Sequence, residues 1–196
     1  GTEKYAEEYQ AEDGEFTTFV PLTEEELTEL EAQGVIIEPQ FYLDYRLEDS
    51  TILRVFQMRK TMNLFSLEEG EQPESGELLL EKRYAQVHDL HVGDTLKIAG
   101  FEYKIAGIGC TPDYEATYRS LSDTVVDAAS FGTVFVGEKD YDLLKATDAN
   151  MQSEELRYAY RVTGGDVAVI NQSLKDALQE IKLSPDEIDD PDFQQY

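Results

Sequence analysis

The sequence predicts an α+β fold, and three observations carry that prediction. Segments in which apolar and polar residues alternate, typical of strands, recur along the chain, and residues 95–98 and 101–108 form a hairpin pair of such segments. A capping box, with Thr23 three residues before Glu26, marks the beginning of a helix. A second helix is indicated over residues 167–181, where apolar residues recur at helical spacing.

The N-terminal part of the chain predicts the element order β-α-β-β. Its helix follows Thr23, has Leu22 and Leu27 placed as a hydrophobic staple, and is expected to end at Gly34, a residue suited to the position after a helix. Pro39 either ends the next strand or places it at a sheet edge, because proline has no backbone donor. The predicted strands are residues 16–20, 35–37, 41–47 and 52–58.

The middle of the chain predicts a β-rich module. Residues 70–76 are rich in turn formers and indicate a boundary, after which residues 78–80 form an apolar run of strand length. Residues 81–90 have helical character, and the Val-Gly-Asp turn at 92–94 leads into the hairpin. Residues 110–130 show no periodicity, so they are expected to form a long loop.

The C-terminal part returns to alternating strands and helices. Strands are predicted over residues 131–137 and 156–163, a short helix over 138–146, and the amphipathic helix over 167–181. We therefore expect two lobes, one of which is built from both chain ends. Residues 1–65 and 131–183 are assigned to an α/β terminal lobe, residues 66–130 to an inserted β-rich lobe with its hairpin at 95–108, and residues 184–196 to an acidic tail.

Composition limits the classes of partner. Hydrophobic residues make up 41% of the 196 residues, which indicates a folded protein. A net charge of −26 repels phosphate backbones, so nucleic acid is not an expected partner. The charge is explained by solubility alone or by attraction of a cationic partner, such as a basic peptide or divalent ions. Cys110 is the only cysteine, so the chain has no internal disulfide.

No residue pattern indicates an enzyme, a cofactor site or a metal site. Nothing matches the phosphate-binding loop G-x-x-x-x-G-K-[ST], so ATP hydrolysis by that route is not expected. His88 and His91 are the only histidines, and they are interpreted as surface residues because a metal site needs three or four well-placed ligands. The acidic runs at 12–15 and 186–192 lack the ligand spacing of a calcium loop. A secreted hydrolase remains an alternative without a visible nucleophile and base.

The loop predicted after the hairpin contains the candidate partner-contact residues. Asp and Ser cap turns and tyrosines pack at sheet edges, so one interpretation is that these residues fix the loop in place. Tyrosine also contributes strongly to interfaces, and long loops are often functional, so the other interpretation is a contact surface. The residues are Asp113, Tyr114, Tyr118, Arg119, Asp123 and Asp127.

A series of turn and strand motifs follows a fixed order through the chain. A turn that contains Pro73 precedes a Gly-Glu pair and the apolar run, and the Val-Gly-Asp turn precedes the hairpin. The set, in chain order, is Glu12-Asp13-Gly14-Glu15-Phe16, Leu53-Arg54-Val55-Phe56, Glu69-Gly70-Glu71-Gln72-Pro73, Gly76-Glu77, Ala85, Leu90, Val92-Gly93-Asp94, Gly107-Ile108, Pro112-Asp113-Tyr114, Leu121, Asp123, Asp127 and Phe131-Gly132.

This ordered set resembles the extracytoplasmic (MacB-like periplasmic core) domain of FtsX-like ABC transporter permeases of the Gram-positive type. The resemblance covers most of the chain and implies an α/β part from both termini with an inserted β-rich part. It implies a non-catalytic domain on the extracellular face of the cell membrane, excised from an integral membrane protein, that relays ATP-driven transmembrane motion. The implied partners are a cognate cytoplasmic ATPase, reached through transmembrane helices outside this sequence, and an extracellular peptide, lipid or protein.

A second hypothesis needs no transporter. A strongly acidic domain with tyrosines in a long loop is also suited to be an extracellular sensor or binding module that captures cationic peptides. The two hypotheses differ in what the chain ends do, because only the first requires both ends to stand on adjacent membrane tethers.

Overall fold

The computed structural model describes residues 9–114, 127–182 and 194–195, and it confirms the α+β class. The helices in this part of the chain are α1 (Glu24–Glu31), α2 (Lys82–Val87), α3 (Glu138–Lys145) and α4 (Val167–Lys182). The strands are β1 (Gly14–Thr18), β2 (Val35–Pro39), β3 (Tyr42–Arg46), β4 (Ile52–Gln57), β5 (Ser66–Gly70), β6 (Glu77–Glu81), β7 (Thr95–Ile98), β8 (Phe101–Cys110), β9 (Phe131–Val136), β10 (Leu156–Val162) and β11 (Gln194–Gln195).

The chain forms two compact units. The terminal unit consists of residues 12–41 and 155–196, and the central unit consists of residues 1–11 and 42–154. The predicted boundaries at 65/66 and 130/131 lie inside the central unit, and the structure moves them to 41/42 and 154/155. The physical reason is sheet pairing, because β4 pairs in parallel with β9 and β9 pairs with β6, which keeps all three strands in one sheet.

The central sheet has the strand order β3-β4-β9-β6-β8-β5, and β7 pairs with the beginning of β8. Strand β6 lies inside this sheet and contributes Leu78, Leu79 and Leu80, each with no exposed surface. The continuous apolar run follows from that position, because a strand covered on both faces has no side that faces water. Strand β5 was not predicted: its residues are mostly polar and it lies at the sheet edge, with a bulge between Leu67 and Glu69.

The predicted hairpin forms with the predicted turn. Strands β7 and β8 pair in antiparallel register, and the two turn residues, Ala99 and Gly100, have φ of 51° and 86°. Two successive positive φ values are the geometry that matches the twist of the flanking strands. The Val-Gly-Asp turn docks on the same strand, because Gly93 N donates to Ile105 O and Ile105 N donates to Asp94 O, both at 2.8 Å.

Helix α2 is shorter than predicted, spanning residues 82–87 and not 81–90. The buried Glu81 is its N-cap, and its carboxylate accepts hydrogen bonds from the backbone N–H of Arg83 and Tyr84. These bonds satisfy donors that a helix leaves open in its first turn. Tyr84 and Ala85 then pack into the larger apolar cluster of the central unit.

The terminal sheet has the strand order β11-β1-β10-β2, and all of its strand pairs are antiparallel. Strand β10 comes from the C-terminal part of the chain, and it lies between two strands from the N-terminal part. The outer edge of β2 is closed to further pairing, because it contains Pro39 and because the Glu31 carboxylate accepts the N–H of Ile37 at 3.0 Å.

Helices α1 and α4 supply the apolar side chains that cover the terminal sheet. Helix α1 has the predicted capping box between Thr23 and Glu26, but it ends at Glu31 with Ala32 as C-cap, so Gly34, with φ of 100°, lies two residues past the cap. The stripe on α4 reaches the core at three buried residues. These are Leu174, Leu178 and Ile181, in one cluster with Phe16, Leu30, Val35, Tyr158 and Tyr160.

The N-terminal end of α4 departs from the prediction. Val167 was counted in the apolar stripe, but 45% of its surface is exposed, because the stripe turns toward the sheet only from Ile170 onward. In the described ranges, no helix combines the length and the apolar composition that a bilayer crossing requires.

Leu174→Asp tests the packing of α4. Leu174 is 1% exposed, and a carboxylate at that position would be buried among apolar side chains without a partner. We expect a loss of about 3 kcal/mol or more in the free energy of unfolding, measured by urea titration with circular dichroism. Gln179→Asp, on the exposed side of the same helix, is the matched control and should change stability by less than about 0.5 kcal/mol. Equal stability of the two variants would refute the packing.

Candidate functional site

Three of the six candidate contact residues, Asp113, Tyr114 and Asp127, lie in the described structure. Tyr118, Arg119 and Asp123 lie between residues 115 and 126, outside the described residues. The described part of the site therefore consists of the two ends of the predicted loop and of the sheet face on which the first end packs. Both belong to the central unit.

The first end of the loop packs on a sheet face rich in aromatic rings, called here the aromatic face. Alternation along β4 points Leu53 and Val55 into the larger core and Phe56 to the opposite face. There Phe56 stacks on Phe135 of the neighbouring β9, with ring centroids 5.2 Å apart. The aromatic face consists of Tyr42, Arg54, Phe56, Phe131 and Phe135.

Arg59 binds the first end of the loop to the aromatic face. Its Nη1 and Nη2 donate to the two carboxylate oxygens of Asp113 at 2.9 and 3.0 Å, and Nη1 also donates to the carbonyl oxygen of Asn63 at 3.0 Å. The guanidinium carbon lies 4.4 Å from the ring centroid of Phe56 and 5.0 Å from that of Phe135. The side chains of Arg59 and Asp113 are only 2% and 8% exposed, so this is a buried ion pair stacked on aromatic rings.

Arg54 forms a second clamp beside the first. It pairs with Asp44 directly across the β3–β4 ladder, from Nε at 2.9 Å and Nη2 at 3.0 Å. Its Nη1 donates to the hydroxyl oxygen of Tyr114 at 2.9 Å, and its guanidinium carbon lies 3.9 Å from the Tyr42 ring centroid. Burial by itself would lower the pKa of Arg54, but the hydrogen bonds and charges of Asp44 and Tyr114 raise it above the usual value.

The second end of the loop is held by its own turn and by a histidine. Asp127 Oδ1 accepts the N–H of Ala129, and Asp127 O accepts the N–H groups of Ser130 and Phe131, each at 2.9 Å. His88 Nε2 lies 2.9 Å from Ala129 O, and the imidazole ring packs against the Tyr84 ring at a tilt of 33°, with 4.1 Å between centroids. The described ends of the loop are therefore both fixed to the body of the central unit.

These contacts bear on the two interpretations of the candidate residues. The carboxylate of Asp113 and the hydroxyl of Tyr114 are used in contacts inside the unit, and Asp127 caps a turn. That geometry is what the loop-fixing interpretation describes for these three residues. The contact-surface interpretation stays a prediction for the loop as a whole.

A metal site is not formed by the described part of the chain, in which no cluster of three or more His, Cys, Asp or Glu residues has a suitable arrangement. His91 Nε2 bonds Asp89 Oδ1 at 2.9 Å on an exposed turn, while His88 contacts Ala129. A surface depression of about 500 Å³ lies elsewhere, against α3, and is lined by Glu138, Lys139, Asp142 and Leu143. All four side chains come from one helix, so no second element converges on a bound molecule there.

Sequence reasoning missed the two arginines that organise this face. Arg54 lies within strand β4, and Arg59 lies two residues after its end. An arginine among apolar neighbours indicates a buried charge, which needs a partner of opposite charge. The partners could not be identified from spacing, because Asp44 and Asp113 lie 10 and 54 residues away from their arginines.

Comparison with known proteins leaves the chain unassigned to a family: no protein-family model matches it, and no curated protein matches it.

Arg59→Met tests whether the buried pair fixes the loop. Loss of the guanidinium leaves the Asp113 carboxylate buried without its bidentate partner, so we expect a loss of about 3 kcal/mol in the free energy of unfolding. The double variant Arg59→Met/Asp113→Leu should recover most of that loss, because it removes both charges. Arg46→Met, at an exposed arginine of β3, is the control and should cost less than about 0.5 kcal/mol. A single variant as stable as this control would contradict the assignment.

Because several tyrosines of the central unit are buried, we expect the stability of the protein to fall at alkaline pH. Burial, with the charge of Asp140 adding to it, raises the pKa of Tyr103 to about 12, and burial and the hydrogen bond to Glu154 raise the pKa of Tyr141. Because the folded state holds these protons more tightly, their stabilising contribution is complete below the unfolded pKa of about 10 and is lost as the pH rises through the folded values.

We therefore expect the urea-derived free energy of unfolding to fall between pH 9.5 and pH 12. The difference between the unsubstituted protein and Tyr103→Phe should shrink by about 2 kcal/mol over the same range, since only the tyrosine titrates. This difference separates Tyr103 from the other groups that lose protons in alkali. Parallel pH profiles for the two proteins would contradict the prediction.

Proposed function

We propose that this chain is the extracytoplasmic domain of an FtsX/MacB-like ABC transporter permease. In this proposal the domain is non-catalytic and stands on the extracellular face of the cell membrane. It relays motion of the transmembrane helices to a substrate or partner outside the cell. The energy comes from a cognate cytoplasmic ATPase, with which the domain communicates through the transmembrane part of the protein.

The observation that carries the proposal is that both chain ends contribute to one sheet and one core. Strand β10 pairs with β1 on one side and with β2 on the other. Phe16, from the N-terminal strand, and Ile181, near the end of α4, belong to the same apolar cluster and are 2% and 6% exposed. A domain that stands on two adjacent membrane tethers needs its ends in a shared body, because motion of either tether then moves the whole body.

The motifs behind the family resemblance act as structural turns, which agrees with a non-catalytic role. Gly93 and Asp94 dock on β8 through backbone bonds, as described above. Gly76 N donates to the Asp140 carboxylate at 2.9 Å, and Lys104 N donates to Gly76 O at 3.0 Å. Gly70, with φ of 82°, has no room for a side chain because an added Cβ would overlap the Ala106 carbonyl. These residues hold strands in register.

Surface labelling in living cells tests the proposal. The full-length gene product that contains this segment would carry Gln179→Cys, at an exposed position of α4. A membrane-impermeant maleimide should label the cysteine in intact cells. The unsubstituted protein is the control, since Cys110 is buried and should not react. Labelling of Gln179→Cys only after the cells are permeabilised would place the domain inside the cell and reject the proposal.

A second function, capture of cationic peptides outside the cell, is favoured by one specific observation. Arg54, Arg59 and Arg157 all have their guanidinium groups in ion pairs inside their units. Each of these arginines is neutralised by a carboxylate of its own unit, so nearly all of the net charge of −26 is carried by the other side chains of the chain. A net negative charge of that size attracts basic ligands at long range.

Isothermal titration calorimetry separates this second function from the first. A lysine-rich peptide should bind at 20 mM salt and weaken at least about tenfold at 200 mM salt, because exposed charges are screened beyond a Debye length. A peptide of equal length with glutamine in place of lysine is the control. Absence of binding at low salt would remove the peptide-capture hypothesis and leave the permease proposal unchanged.

A further inference from the structure

The beginning of strand β1 is attached to β10 by an ion-pair cluster as well as by the ladder. Arg157 of β10 donates from Nη2 to the carboxylate of Glu12 and from Nε to that of Glu15. The side chains of Arg157, Glu12 and Glu15 are 8%, 11% and 30% exposed, so solvent screens the pair with Glu12 less than the pair with Glu15. One guanidinium thus binds two carboxylates on either side of Gly14.

Asp13 adds a third attachment in the same place. Its backbone N–H donates to Tyr160 O at 2.8 Å, and its carboxylate accepts the N–H of Val162 at 2.7 Å. The segment 12–15 is therefore bound to β10 through both side chains and backbone. Displacement of this segment has to break several bonds at once or carry β10 with it.

Tyr160 connects the same place to helix α4. The hydroxyl end of its ring packs against Gly14. An added Cβ at residue 14 would overlap the ring, so the tyrosine can occupy this position only because residue 14 is a glycine. The hydroxyl then donates to Asn171 Oδ1 on α4 at 2.9 Å. Burial first, and then the charges of Asp13 and Glu12, raise the pKa of Tyr160.

We propose that Tyr160 couples the segment 12–15 to helix α4, so that a displacement of this segment changes the packing of the helix. The path has two contacts: Gly14 holds the phenol ring in place, and the ring places its hydroxyl on Asn171. Arg157 acts as a positioning residue, because it holds Gly14 against the ring through Glu12 and Glu15. The coupling is a property of the domain alone, and only its use in transmitting membrane motion rests on the function proposed above.

A double-mutant cycle on the isolated domain measures this coupling. Arg157→Met releases the segment 12–15, and Asn171→Ala removes the acceptor on α4. If Tyr160 joins the two sites, Asn171→Ala should cost less in the Arg157→Met background. The unfolding equilibrium constants should deviate from additivity by at least about threefold, whereas sites without a shared partner stay within about twofold. The higher helix propensity of alanine is the same in both backgrounds and cancels.

Two controls identify Tyr160 as the connection. Tyr160→Phe keeps the ring but removes the hydroxyl, so the cycle repeated in that background should be additive. Gln172→Ala changes the next residue of α4, which bonds Asp176 on the same helix and not Tyr160, so its cycle with Arg157→Met should also be additive. If Arg157→Met does not fold, Arg157→Lys replaces it, since lysine keeps the charge but cannot bind both carboxylates in the same planar geometry.

Additivity of the first cycle would overturn the proposal, and so would a coupling that persists in the Tyr160→Phe background. Both outcomes concern the isolated domain in solution. They are distinguishable from failure of the proposed function, which the labelling of intact cells decides. If the domain shows the coupling but is labelled only after permeabilisation, the coupling proposal stands and the transporter proposal is rejected.

Discussion

Ladder hydrogen bonds between β10 and its two neighbours hold the two ends of the chain in one sheet. Strand β10 pairs over five residues with β1 and over five with β2, so it is the strand through which both N-terminal strands are connected. Its side chains alternate between the two faces of the sheet. Tyr158 and Tyr160 face the core under α1 and α4, while Arg157 lies on the opposite face with its two carboxylates.

The same alternation organises the central unit, but there it separates two kinds of core. Residues of β4 that face α2 and α3 are aliphatic, and those that face the other way include Arg54 and Phe56. Charged groups can be buried on that second face because each guanidinium has a carboxylate in bidentate geometry and aromatic rings beside it. Burial of charge is tolerated in a small domain only under these conditions, since an unpaired buried charge costs several kcal/mol.

Most elements of this protein could be predicted from the chain because their signals are local. The capping box at Thr23, the positive-φ turn at Gly100 and the stripe on α4 each depend on residues within a few positions of one another. Apart from the ends of the helices, the errors lie where a distant strand decides the outcome. Strand β5 has no apolar alternation and forms because β8 offers it an edge, and β4 joins the central unit because β9 pairs with it. The candidate site divides in the same way, since Asp113 and Tyr114 could be singled out in the loop but their arginines could not.

The sequence by itself determined the class of fold, the position of the main helices and turns, and the acidic character of the chain. It could do so because helix caps and turns depend on residues a few positions apart, and because net charge is the sum of the charges of the side chains. Only the tertiary structure decided which strands share a sheet, which arginines are buried against which carboxylates, and that Tyr160 lies between Gly14 and Asn171. These pairings join residues up to 179 positions apart (Phe16 and Gln195), and such contacts depend on how whole sheets and helices pack.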